Sequence, residues 1–129
     1  MPSKDPVRIA AVGDLHYGRT TPPGSLQPLF SQINDSADIL ALCGDLTDYG
    51  LVDEARAFVK ELIPTLKIPI VAVLGNHDFE SGQQGEIVKV LADAGIATLD
   101  GETTEIEGIG FAGIKGFCGG FGRRNRRPR

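Results

Sequence analysis

The sequence predicts an α/β fold, a mainly parallel sheet with flanking helices followed by short antiparallel strands. Three observations carry that expectation. Apolar runs of strand length recur at residues 7–13, 39–44 and 70–75, and each ends in glycine. Stretches with a helical apolar stripe separate them, as parallel strands require of their crossovers. After the third such stretch come only short β-like runs, so the order reads β-α-β-α-β-α-β-β-β.

The first strand, about residues 7–13, is nearly all apolar (Val7, Ile9, Ala10, Ala11, Val12), the composition of a strand buried on both faces. A turn-rich loop with Pro22, Pro23 and Gly24 comes next. A short helix then starts with Ser25 as N-cap and runs to about Asn34, placing Leu26, Leu29, Phe30 and Ile33 on one face. The second strand covers about residues 38–43. Next comes the clearest helix, with Leu51, Val52, Ala55, Phe58, Val59, Leu62 and Ile63 on one stripe. Asp53, Glu54, Arg56, Lys60 and Glu61 cover the opposite face, and Pro64 falls where the stripe ends. A third strand spans about residues 69–74. Ile87, Val90, Leu91 and Ala94 mark a third helix, closed by Gly95 as a C-terminal cap. Short β segments are expected near residues 96–99, 103–107 and 109–114, with Gly108 in a turn.

A chain of 129 residues suits one domain with one modest core. Apolar residues at 41% and charged residues at 23% place it among ordinary globular proteins. No apolar stretch approaches the roughly 20 residues of a membrane span. The N-terminal residues lack an apolar segment behind a basic start, so no signal peptide is expected. Cys43 and Cys118 are not closely spaced, and Cys43 reads as a small core residue. The expectation is a cytoplasmic protein without disulfides or thiol chemistry.

Charge is unevenly spread. Arg123, Arg124, Arg126, Arg127 and Arg129 crowd the last seven residues, and taking those five charges from the net −4 leaves −9 on the rest. Such an acidic body suits cations and argues against a nucleic-acid-binding surface. Residues 108–122 are glycine-rich but lack the G-x-x-x-x-G-K-[ST] spacing of a phosphate-binding loop, so they read as turns between short strands.

The residues just after each glycine-ended run are the informative ones. Asp14-Leu15-His16 succeeds the first run, Asp45-Leu46-Thr47-Asp48 the second, and Asn76-His77-Asp78 the third. If the runs are neighbouring parallel strands, all three clusters meet at the carboxyl rim of one sheet, where open α/β sheets bind ligands. Asp14 and His16, two residues apart, point to the same side of an extended chain and can clasp one ion. The first two motifs are weak alone, because Gly-Asp after a strand is ordinary turn chemistry; Asn76-His77-Asp78 is better, since a turn rarely needs histidine between two turn-formers. Their conjunction is strong: the chain has two histidines, and both stand in this one context.

The combination D-x-H, G-D-x-x-D and G-N-H-D, each at a strand end, resembles the calcineurin-like metallophosphoesterases over residues 7–78, and more loosely to Ile114. The resemblance implies the N-terminal half of an α/β/β/α sandwich and a metal-dependent phosphoric-ester hydrolase, a phosphatase or phosphodiesterase. It implies two divalent ions, of the Mn, Fe or Zn kind that mixed nitrogen and oxygen donors favour. Asp14 and His16 would hold one, Asp45 would bridge both, and Asn76 would hold the second. The pair would activate a shared water for in-line attack on phosphorus. His77 would act on the departing oxygen, Asp48 would hydrogen-bond His77, and Asp78 would support from behind.

Other expectations come from where the pattern stops. The family continues with G-H and G-H-x-H motifs, and this chain has no further histidine. Residues 1–122 are therefore expected to form the N-terminal part of the domain, without its C-terminal metal ligands, and 123–129 a disordered basic tail. Three readings fit that tail: a truncated or shifted reading frame, which is preferred; a phosphate-binding arm making only non-specific nucleic-acid contacts; or a solvated terminus. The competing functional reading is a non-catalytic metal- or phosphate-binding fragment acting with a partner chain.

Overall fold

Four parallel strands lie in the order β1 (Ile9–Val12), β2 (Ile39–Cys43), β3 (Ile70–Val73) and β4 (Ala97–Thr98) in the computed structural model, which describes residues 6–115. Helices α1 (Gln27–Ser36), α2 (Val52–Leu62) and α3 (Gln84–Asp93) form the crossovers, and a 3₁₀ turn, Asn76–Phe79, leads from β3 towards α3. An antiparallel hairpin of β5 (Glu102–Ile106) and β6 (Ile109–Gly113) completes the described chain. This is the mainly parallel architecture that the sequence predicts. No helix among the described residues is long and apolar enough to cross a membrane.

Register decides where the polar clusters go. Val12 pairs with Leu42, and Leu42 with Ala72, so the three glycine-ended runs finish at the same rim, each one residue further on than the run before it. Side chains then alternate between the two faces. Leu40, Leu42, Ile70 and Ala72 pack under the helices with Phe30, Ile33, Ala55, Phe58, Leu62, Ile87 and Leu91. Ile39, Val71 and Leu99 bury on the opposite face, against Val7, Ile106 and Phe111. All three helices thus cover one face, and the hairpin covers part of the other. In the hairpin turn Glu107 and Gly108 both take positive φ, 55° and 79°, as two-residue primed turns require.

Three expectations are corrected. β1 is an edge strand, and Ile9 is 45% exposed, so the strand is not buried on both faces. Its apolar composition reported an apolar strand and could not report which neighbours it has. Cys43 is exposed and not a core residue, because the alternation puts it on the hairpin face, at the end of its strand. Ser25 does not cap α1: Leu26 is the N-cap, without a side-chain cap bond. Cys118 and the arginine tail lie outside the described residues.

Glu61, on α2, takes over part of the work assigned to that cap. It accepts hydrogen bonds from the Tyr17 hydroxyl at 2.7 Å, the Leu26 N–H at 2.8 Å and the Gly24 N–H at 3.2 Å. These tie the long β1–α1 loop to α2. Burial opposes the Glu61 charge, but the bonds from Tyr17 and from the Leu26, Gly24 and Gln27 amides outweigh it and hold its pKa down. Burial first, then the Glu61 carboxylate, push the Tyr17 phenol up from 10.0 to about 12.

Two outcomes are expected. Tyr17 ionises more easily once unfolded, so its contribution to stability is complete below pH 10.0 and is lost as pH rises towards about 12. Denaturation midpoints measured across that window should fall in the native protein and fall less in Tyr17→Phe. Phe58, fully buried and edge-on to Tyr17 (centroids 5.8 Å apart) and Phe30 (6.1 Å), anchors the helix side of the core. Phe58→Ala should cost about 3–5 kcal/mol in urea unfolding.

Candidate metal centre

Beyond the last strand pairs, the first two loops continue alongside each other as backbone. Asp14 N–H donates to Gly44 O (3.1 Å), His16 N–H to Asp45 O (2.9 Å), Tyr17 N–H to Leu46 O (2.8 Å) and Asp48 N–H to Tyr17 O (3.0 Å). Asp14, His16 and Asp45 are held there with φ of 56°, 49° and 53°. Residues with side chains rarely adopt this left-handed region, at a cost of order 1–3 kcal/mol each, and such strain clusters at functional sites. The neighbouring hydrogen bonds hold all three in place.

The third loop is fastened by Asp78, whose carboxylate is fully buried. Its Oδ1 accepts from the Thr47 N–H (2.8 Å) and Thr47 Oγ1 (2.6 Å); its Oδ2 accepts from the Leu46 N–H (3.1 Å) and the Gly75 N–H (2.9 Å). Thr47 Oγ1 in turn accepts from the Gly50 N–H at 3.1 Å. Two glycines make this closeness possible. A Cβ on Gly75 would collide with the Asp45 side chain and backbone, and one on Gly50, at φ 70°, would lie 2.7 Å from His77 O.

The fastening brings most of the expected residues together. Asp14, His16 and Asp45 each present a ligand atom within 4.8 Å of the others, and His16, Asp48 and His77 form a second such group. His16 belongs to both, with Nε2 3.9 Å from Asp45 Oδ2 and Nδ1 3.9 Å from Asp48 Oδ1. Asp45 divides its carboxylate: Oδ1 accepts from the His77 N–H at 2.9 Å, while Oδ2 faces His16. Asn76 is exposed at the start of the 3₁₀ turn, next to His77 in the chain.

His77 differs in detail from the expectation. Its Nδ1 bonds the main-chain carbonyl of Asp48 at 2.7 Å, and the Asp48 carboxylate lies instead towards His16. A carbonyl only accepts, so Nδ1 carries the proton and Nε2 is left for other partners. That bond is the main reason the His77 pKa is raised. Burial opposes the rise, and the charges of Asp45, Glu80 and Asp48 add to it.

The bond network around Asp78 and Thr47 is what motif reading missed. A G-D-L-T-D run shows a threonine, but nothing in it says that the hydroxyl will meet a carboxylate 31 residues away. As a donor set, two carboxylates and an imidazole within one short radius fit a divalent metal ion.

Comparison with known proteins agrees with this geometry. The family model for calcineurin-like phosphoesterases matches residues 7–121, and the chain belongs to that family. The chain is also 30% identical, over 110 residues, to an uncharacterized protein of Methanocaldococcus jannaschii. That alignment covers 85% of this chain and 44% of the relative, so the chain spans less than half of the relative's length.

The Asp78 network yields a sharp outcome. Asn is isosteric, yet its NH₂ must point at one pair of donors that a carboxylate oxygen now serves, setting N–H against N–H. Asp78→Asn should therefore destabilise almost as much as Asp78→Ala, each by about 3 kcal/mol or more, as read from urea unfolding. An Asn variant of native stability would contradict the assignment.

Proposed function

We propose that residues 1–122 form the amino-terminal part of a metal-dependent phosphoric-ester hydrolase and hold its ions through Asp14, His16, Asp45 and Asn76. The observation that carries this is the convergence of Asp14, His16 and Asp45 at the rim, three donors within 4.8 Å of one another. Two ions held there would supply Lewis acidity towards phosphoryl oxygens and a water activated near neutral pH. Asp45 would be the ligand shared by both ions in this reading; its Oδ2 faces His16 while its Oδ1 is tied to the third loop.

His77 acts on the substrate. Its Nδ1 is committed to the Asp48 carbonyl, and its Nε2 is available to protonate the departing alcohol. The Asp48 carbonyl fixes the ring and favours its charged form, which suits this role. Asp48 positions that ring through its main chain and adds negative charge beside both histidines. The substrate class is a phosphate ester, and the setting is the cytoplasm.

Metal content and turnover separate these roles. Asp45→Asn should lower bound Mn²⁺ or Zn²⁺, read by metal analysis and by loss of the metal-induced rise in Tm. His77→Ala should leave metal content nearly unchanged and reduce turnover of an alkyl phosphate by roughly 10²–10⁴-fold. A smaller loss is expected for an activated aryl phosphate, whose leaving group needs little protonation. Metal-loaded protein without phosphatase or phosphodiesterase turnover, but with metal binding abolished by Asp45→Asn, would favour a non-catalytic metal-binding fragment.

A further inference from the structure

Asp48 meets the two histidines with different atoms. Its main-chain carbonyl bonds His77 Nδ1 at 2.7 Å, so its carboxylate takes no part in that bond. The carboxylate turns to the first loop instead, where Oδ1 stands 3.9 Å from His16 Nδ1. The other ring nitrogen of His16, Nε2, stands 3.9 Å from Asp45 Oδ2. One imidazole therefore lies between two carboxylates, each facing a different nitrogen. Both loops build this placement. The Asp48 N–H donates to the carbonyl of Tyr17, the residue after His16, at 3.0 Å. Gly18 leaves the room, since a Cβ there would lie 2.8 Å from Asp48 Cβ and 3.4 Å from Oδ2. The His16 and Asp48 side chains are only 35% and 29% exposed, which limits competition from water.

We propose that Asp48 is a positioning residue for His16, its carboxylate holding the Nδ1–H so that Nε2 is left bare and turned to the rim where Asp14 and Asp45 converge. The inference rests on the metal-dependent reading above. A neutral imidazole carries one proton, and a carboxylate only accepts, so Asp48 selects the tautomer protonated on Nδ1. The lone pair then lies on Nε2, the nitrogen that faces Asp45. Histidines that ligate metal generally give their other N–H to a carboxylate or carbonyl, which fixes the ring and makes the ligating nitrogen more basic. A shift of about 1 Å at either side chain brings Asp48 Oδ1 and His16 Nδ1 from ion-pair distance into hydrogen-bond range. One residue thus sets both rings, His77 through its backbone and His16 through its side chain. Substitution at position 48 separates the two effects, because every variant keeps the carbonyl.

The test reads metal affinity and the tautomer of the ring. Titrated calorimetrically with Mn²⁺, the full chain carrying Asp48→Ala should bind about 10–100-fold more weakly than the native chain. Asp48→Asn keeps an oxygen acceptor without its charge and should show a smaller loss, while His77→Ala should bind Mn²⁺ as the native chain does. Heteronuclear NMR of the imidazole nitrogens, on metal-free protein above the histidine titration range, should find His16 protonated on Nδ1 in the native chain. Asp48→Ala should shift it towards the Nε2–H tautomer, with His77→Ala assigning the two rings. Native Mn²⁺ affinity in either Asp48 variant, or a retained Nδ1–H tautomer in Asp48→Ala, would overturn the inference while leaving the metal site standing. Failure of the native chain to bind Mn²⁺ would overturn the metal-dependent reading and this inference with it.

Discussion

The Asp78 carboxylate sits where the second and third rim loops meet, and the geometry of the site depends on it. Four bonds, three from Leu46 and Thr47 in the second loop and one from Gly75 at the head of its own turn, converge on one buried anion, two to each oxygen. Charge-assisted bonds of this kind are stronger than neutral ones, and losing the acceptor leaves several donors stranded in the interior. With Asp78 in place, Gly75 lies flat against Asp45 and the 3₁₀ turn presents His77 beside His16. The two rings meet edge to face, 4.5 Å apart. The carboxylate that fixes the rim is thus not one of those that would touch an ion.

This division of labour explains why strained residues persist. Asp14, His16 and Asp45 are the three rim residues other than glycine with positive φ, and they are also three that converge. A left-handed backbone turns each side chain out of its strand line and towards the others. The strain is sustained by the backbone bonds between the first two loops and by Asp78 behind them, with the cost of order 1–3 kcal/mol per residue spread over the sheet.

The two faces of the sheet are unequal in a way that bears on the site. The helix face holds the larger core, and α2 reaches from it to both sides of the rim, with Glu54 gripping the turn after Asp48 and Glu61 gripping the loop after His16. One helix therefore ties down both the segment that follows His16 and the one that follows Asp48. The hairpin face holds a smaller cluster and leaves Ile9 and Cys43 exposed.

The sequence by itself determined the element order, the meeting of three strand ends at one rim and the identity of the rim residues. Those rest on local signals: apolar period, glycine at the strand end, and polar residues just beyond it. It also carried the family, since D-x-H, G-D-x-x-D and G-N-H-D keep their order and strand context. Tertiary structure alone decided the rest, because neighbours are not written in local periodicity. An apolar strand reads the same at an edge as in the middle, so the exposure of β1 and Cys43 was invisible. The cap on α1 passed from Ser25 to a glutamate 35 residues beyond Leu26. The partner of His77 became the carbonyl of Asp48 in place of its carboxylate, because the loop turns its backbone inward where the side chain was expected. The bond from Thr47 to Asp78 spans two strand ends, and only the paired strands bring its halves together.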